Sequence, residues 1–362
     1  MNTKIITIKE GDCLKEVLRE AGDILKAGGV VAFPTETVYG LGADALKTDS
    51  ANKIYEAKDR PADNPLIIHI SRFEDIYAIT SQVPESAKRI AEAFWPGPLT
   101  MILPKAATVP HETTGGLETV AVRMPSHPVA QTLIELGGGF VAAPSANRSG
   151  RPSPTLAKHV TEDMLGRIDM IIDGGAVGIG IESTIIDLTI NPPQVLRPGS
   201  VTVSMLEEVI GKVAEDNTLL TEDGQAPRAP GMKYRHYAPW GELIIVQGEP
   251  DLVTERINRE VSKAHAAGEK TGVIGSSQML AGYRADVVKS VGSREDEEEI
   301  AGNLYRILRE FDEEKVNRIY SEAFESQGMG QAIMNRLLKA AGHKVITVTE
   351  FVPESEKERS KE

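Results

Sequence analysis

The chain has 362 residues, 41% of them apolar and 26% charged, with a formal net charge of −13. That acidic balance argues against a broad nucleic-acid-binding face, and no apolar run approaches the roughly 18 residues that a membrane-spanning helix needs. A single cysteine, Cys13, excludes an intrachain disulfide framework and a cysteine-based zinc cluster, and the length favours two domains over one.

The start, Met1-Asn2-Thr3-Lys4, runs directly into strand-like Ile5-Ile6-Thr7-Ile8. With no secretory pattern there, the expectation is a cytoplasmic protein. From Cys13 to Gly29, Leu14, Val17, Leu18, Ala21, Ile24 and Leu25 recur at helical spacing, and Gly28-Gly29 closes the helix. Cys13 at its start has no catalytic partner nearby and reads as a bystander thiol. The short apolar run Val30-Val31-Ala32-Phe33 predicts a strand ending at Pro34. Further strands are expected at 66–70, 99–103, 119–124, 140–143, 169–172 and 184–188, and helices at 50–57, 85–94, 128–136 and 156–165. This mixture predicts an α/β domain with a twisted mixed sheet. Its polar motifs fall at strand ends, where such folds place their sites.

Composition shifts near Ser204. A short helix is expected at 205–212, then a polar stretch without periodicity, then the linker-like Ala226-Pro227-Arg228-Ala229-Pro230-Gly231. Beyond it, strands at 243–246, 272–275, 316–320 and 345–348 alternate with helices at 252–266, 297–311 and 330–341. That pattern predicts a second, smaller Rossmann-like domain. The expected division is a catalytic domain over 1–212, a linker over 213–240, a second domain over 241–349 and a charged tail over 350–362. The first part carries 19 Lys and Arg against 24 Asp and Glu through Met205, so most of the negative charge lies in the second.

Five polar segments are candidates for chemistry. The most informative is Ala143-Pro144-Ser145-Ala146-Asn147-Arg148-Ser149-Gly150-Arg151-Pro152-Ser153-Pro154-Thr155, which follows an apolar strand. Its hydroxyls, carboxamide and guanidiniums suit a polyanion such as a nucleotide phosphate chain, although the same residues also make ordinary turns. Pro34-Thr35-Glu36-Thr37-Val38-Tyr39-Gly40 sets hydroxyls in a turn, or equally caps a helix. Lys58 and Arg60 are two apart, so in an extended segment both face one side and can clamp phosphates, with Asn64 beyond them. The alternative for Lys58 is compensation of a helix dipole. His69 ends an apolar strand and reads first as a hydrogen-bonded core histidine. On the strand 119–124, alternation puts Thr119, Ala121 and Arg123 on one face. An arginine there needs an anionic partner, either a ligand carboxylate or a structural acid. The glycine-rich run Gly174 to Gly180, followed by Glu182-Ser183-Thr184 and later Leu196-Arg197-Pro198-Gly199, allows amides to converge on an anion. It matches neither a Walker A loop nor a dinucleotide fingerprint. No dense Asp/Glu cluster marks a dedicated metal cage, so a metal is expected only as Mg²⁺ arriving with phosphates.

Taken together and in order, PTETVYGLGADA (34–45), KDRPADNPLIIHI (58–70), WPGPLTMIL (95–103), VAVRMPSHP (120–128), APSANRSGRPSPT (143–155), ESTIIDL (182–188) and LRPGS (196–200) resemble the YrdC-type threonylcarbamoyl-AMP synthase family. APGMKYRHYAP (229–239) and the second α/β domain resemble that family's longer, two-domain branch.

The resemblance implies formation of threonylcarbamoyl-adenylate and pyrophosphate from L-threonine, bicarbonate and ATP, with Mg²⁺ accompanying ATP. The product then passes to a tRNA threonylcarbamoyl transferase complex, with no need for this chain to bind tRNA or membrane. It also implies that Lys58 and Arg60 neutralise phosphate charge as the catalytic cations. Asn64, Thr119, Ser145, Asn147, Ser153 and Arg197 join them at ATP, and Tyr237 covers the nucleotide as a lid. Arg123 takes the threonine carboxylate, with Thr35 or Thr37, His69, Ala143 and Ser183 around the amino acid. Two competing readings are an RNA-binding module, which the charge disfavours, and carbamoyl transfer of the hydrogenase-maturation type, which one cysteine disfavours.

Overall fold

A computed structural model describes residues 2–215, 228 and 236–348. The expected linker segment at 226–235 (Arg228 apart) and the expected charged tail lie outside the described residues. In chain order the first eleven strands are β1 (Lys4–Thr7), β2 (Val31–Phe33), β3 (Gly40–Asp44), β4 (Ile67–His69), β5 (Leu99–Pro104), β6 (Thr119–Arg123), β7 (Val141–Ala142), β8 (Met170–Asp173), β9 (Thr184–Asp187), β10 (Gln194–Arg197) and β11 (Ala214–Glu215). They form one sheet in the order β1-β8-β2-β3-β7-β4-β6-β5-β9-β10-β11. The sheet is mixed: β4 runs parallel to β6 and antiparallel to β7, and β3 is antiparallel to both β2 and β7. The mostly apolar β5 (Leu-Thr-Met-Ile-Leu-Pro) is buried along nearly its whole length, as expected for a strand covered on both faces. On one face Leu25 packs with Leu133 and Ile134; on the other, Ile54, Ile90 and Val160 complete a larger core.

Several elements differ from expectation. The helix expected from Cys13 is two, Leu14–Val17 and Arg19–Lys26, because the backbone opens at Leu18 (φ −91°, ψ 0°). The strand β3 has the sequence Gly-Leu-Gly-Ala-Asp, too poor in β-formers to be read as a strand. The boundary placed at 212 falls short of the sheet, since Ala214 and Glu215 pair with β10 and Val213 is in the core.

The second sheet comprises β12 (Glu242–Gln247), β13 (Thr271–Ser276), β14 (Val287–Gly292), β15 (Arg318–Glu322) and β16 (Val345–Thr347). Their order is β14-β13-β15-β12-β16, and every pairing is parallel. The helix Pro250–Ala266 covers one face through Val253, Ile257 and Val261. The helices Glu297–Glu313 and Gly328–Ala340 cover the other. That second core also contains Val38, Ile181 and Tyr237, so apolar packing runs unbroken from one sheet's loops into the other's helices. Polar contacts reinforce the join. The fully buried Arg309 donates to the carbonyl of Pro152 at 2.6 Å and to Asp163 at 2.7 Å. Arg151 pairs with Asp312 at 3.2 Å, and Lys158 with Glu313 at 2.9 Å.

Candidate active site

A cleft opens where the ends of β4, β6, β7 and β10 meet the loop after β2. Among the described residues its walls include Thr35, Thr37, Lys58, Arg60, His69, Arg123, Ala143, Ser145, Asn147, Glu182, Ser183, Arg197, His236 and Tyr237. Twelve of the residues expected at a site therefore converge. Asn64, Thr119 and Ser153 are not among the lining residues. Asn64 is buried and its carbonyl accepts Arg60 Nε at 3.3 Å. Thr119 opens β6 opposite Pro104, and Ser153 donates behind the wall to Glu182 at 2.5 Å.

One end of the cleft is cationic. Lys58 is the last residue of the helix Thr48–Lys58, which Asp59 terminates in a left-handed conformation (φ 53°). The buried Lys58 ammonium donates to the carbonyls of Ser145 and Asn147. Burial, and then Arg60, hold its pKa well below the usual lysine value. Arg60 donates to the carbonyl of Pro65 at 3.1 Å, and burial lowers its pKa to about 10. Arg197 donates to the backbone and side-chain oxygens of Ser183 at 3.0 and 3.1 Å. Three guanidinium or ammonium groups around one pocket mark an anion site.

The tract 143–155 is pinned rather than solvated. Leu41 N donates to Pro144 O, and Ala146 N to Tyr39 O, both at 2.8 Å. Asn147 Nδ2 donates to the carbonyls of Arg148 and Arg151 at 2.8 and 2.9 Å, so this amide braces its own loop. Arg148 turns outward to Asp59 at 2.8 Å, and Arg151 lies over the Trp240 ring at 4.9 Å. Neither guanidinium lines the cleft.

The other end suits a carboxylate. Arg123 is 4% exposed. It donates to Thr37 Oγ1 at 3.0 Å and to Glu36 Oε1 at 2.7 Å, while its Nε has no partner among the described residues. Of the two partners expected for this arginine, the structural acid is present in Glu36, and Nε is left unpaired among the described residues. Thr35 and Thr37 share a hydrogen bond of 2.9 Å and both line the cleft. His69 contacts the Ile67 carbonyl through Nδ1 at 3.1 Å. Burial, and then Arg123, push its pKa down to about 3, so the ring is neutral at ordinary pH.

His236 and Tyr237 complete the described lining. Tyr237 has φ 65°, its ring lies 5.1 Å from that of Tyr305, and the next amide, Ala238 N, donates to Gly150 O at 2.8 Å. Eight lining residues were assigned no role from sequence: Val38, Gly40, Ile67, Pro144, Ser149, Gly150, Glu182 and His236. Each sits inside a motif quoted above, so position in the motif was the available signal. Among the described residues no cluster of His, Cys, Asp and Glu fits a metal ion.

Comparison with known proteins settles the lineage. Residues 23–199 match the Sua5/YciO/YrdC domain model, described as telomere recombination, and residues 201–342 match the model described as threonylcarbamoyl-AMP synthase, C-terminal domain. The threonylcarbamoyl-AMP synthase of Pyrococcus abyssi is 50% identical over 91% of this chain and 96% of its own length. That of Bacillus subtilis is 49% identical over 91% of this chain and 94% of its own. The chain belongs to the threonylcarbamoyl-AMP synthase family. The crystal structure of P. abyssi Sua5 complexed with L-threonine superimposes with a TM-score of 0.90 at 49% identity, covering 96% of this chain and 100% of that one. The family's two-domain form therefore accounts for both sheets. No described helix is long and apolar enough to cross a membrane.

Proposed function

We infer that the chain makes threonylcarbamoyl-AMP from L-threonine, bicarbonate and ATP, releasing pyrophosphate. The observation that supports this reading is the polarity of one cleft: Lys58, Arg60 and Arg197 gather at one end and Arg123, with Nε unpaired among the described residues, stands at the other. The threonine amine adds to bicarbonate-derived CO₂ and loses a proton, giving a carbamate. A carbamate oxygen then attacks the α-phosphorus, the bond to the bridging oxygen breaks, and pyrophosphate departs with the electron pair.

Such a transfer needs alignment and charge neutralisation rather than a protein nucleophile. Arg123 holds the amino-acid carboxylate, while the neutral His69, Ala143, Ser183 and the Thr35/Thr37 pair enclose the amine. Lys58 and Arg60 draw charge from the phosphates, and Tyr237 excludes water from above. Asn64, Thr119 and Ser153 act one layer further out, as supports of the nucleotide end. Glu182 is the one carboxylate among the described lining residues, and its oxygens already accept from Ser153, Tyr305 and Arg336. The donor set thus fits Mg²⁺ carried on the phosphates, as is usual for that ion. Transfer of the product to a tRNA-modifying enzyme in the cytoplasm completes the reading.

The deciding assay is pyrophosphate release with threonine, bicarbonate and ATP omitted in turn. Release is expected only with all three present; equal release without threonine would refute the reading.

A further inference from the structure

Glu182 is out of place in a pocket built for a polyanion. Glu182 is 7% exposed and is among the lining residues, where an uncompensated negative charge would repel phosphates. Arg197 and Ser153 compensate it in part from its own domain, but the largest compensating charge comes from the other half of the molecule. Arg336, fully buried on the helix Gly328–Ala340, donates from Nε to Glu182 Oε2 at 3.0 Å. Its NH2 donates to the Glu182 carbonyl at 3.2 Å and its NH1 to the Pro198 carbonyl at 2.5 Å. The fork therefore grips both segments that flank the cationic end: the one leading to Ser183 and the one following Arg197. Tyr305, fully buried on the helix Glu297–Glu313, donates to Glu182 Oε2 at 2.9 Å and places its ring beside that of Tyr237.

We propose that Arg336, assisted by Tyr305, is a positioning residue of the nucleotide site. The second domain is then the charge-compensating back wall of that site: it neutralises Glu182, sets the segments bearing Ser183 and Arg197, and supports the lid ring. This rests on the reading of the cleft as an ATP site. Removing one member of a buried ion pair leaves the other charge stranded, so the loss of Arg336 falls on ATP, whose charge meets Glu182. Threonine, whose carboxylate Arg123 holds at the far end, is affected less, through the segment bearing Ser183 alone.

The test is steady-state pyrophosphate release by full-length Arg336→Met, Glu182→Gln, the double variant, Arg336→Lys and Tyr305→Phe, with thermal melting alongside. Arg336→Met is expected to raise KM for ATP about tenfold or more, the scale of a lost charged hydrogen bond, with a smaller rise in KM for threonine. Adding Glu182→Gln to Arg336→Met lowers KM for ATP again, the coupling that such a cycle isolates, and Arg336→Lys falls between. A purely structural role predicts losses in melting temperature without that recovery. Folded Arg336→Met with wild-type KM for ATP overturns the proposal, as does a double variant worse than Arg336→Met. If Arg336→Met does not fold, Tyr305→Phe decides: a raised KM for ATP supports the proposal and an unchanged one overturns it. Wild-type protein without ATP-dependent release would instead refute the ATP reading itself.

Discussion

Gly180→Ala probes the join between the two sheets at a single point. Gly180 has φ +86°, and a Cβ there would lie 2.5 Å from Gly302 Cα and 2.6 Å from Ala301 O, in the facing helix. Gly175 is the matched control, with φ +83° and nothing within 4 Å of an added Cβ. The left-handed backbone costs an alanine about 1–2 kcal/mol at either position, so that contribution cancels between the two variants. Overpacking, about 1–3 kcal/mol, remains in Gly180→Ala alone. With an unfolding entropy of about 2.1 cal/mol/K per residue, a chain of 362 residues loses about 1.3 °C in Tm per kcal/mol. Gly180→Ala should therefore melt about 1–4 °C below Gly175→Ala in scanning calorimetry, given that overpacking range. Because Gly180 N donates to Thr37 O at 3.0 Å, KM for threonine should rise in the first variant only. Equal melting temperatures would refute the close approach of Gly180 to that helix.

Two further outcomes follow from the site and its surroundings. Arg123→Lys keeps the charge but loses the fork, and should raise KM for threonine about tenfold or more while leaving KM for ATP near wild type; an unchanged KM for threonine would remove Arg123 from carboxylate binding. His159, whose Nδ1 accepts Thr155 N at 3.3 Å, has its pKa pushed down to about 3 by burial and then by Arg309. In the unfolded chain the value is about 6.5, so only the unfolded state gains a proton as pH falls below that. Its contribution is complete above about pH 6.5 and is lost towards pH 3, at up to about 1.4 kcal/mol per pH unit. His159→Gln should flatten the fall in urea midpoint between pH 6 and 4, and an unaltered slope would show that the buried ring does titrate in the native state.

Most of the fold was legible because its signals are local. Continuous apolar runs such as that of β2, and amphipathic helices such as Glu85–Phe94, announce themselves within a dozen residues. β3 and β14 were not legible: one is glycine-rich and the other carries Lys289 and Ser290 amid its valines, and both are strands because of their neighbours. The cleft was readable to the extent that its residues lie in contiguous motifs at strand ends. Directions were not. Arg148 and Arg151 share a tract with Ser145 and Asn147 yet point away, because Asp59 and Asp312, from elements distant in sequence, and Asp163 on the next helix attract them. Arg336 was invisible for the same reason. Its partner Glu182 is 154 positions away, and a lone arginine on an amphipathic helix reads as surface.

The placement of Arg336 also bears on how the protein is made. Synthesis runs from the N-terminus, and every lining residue through Arg197 leaves the ribosome long before the helix Gly328–Ala340. Domains generally fold in order of emergence, so the first sheet can assemble while Glu182 still lacks its guanidinium. The nascent enzyme would thus pass through a folded but electrostatically immature stage, and reach its full affinity for ATP when the helix Gly328–Ala340 docks.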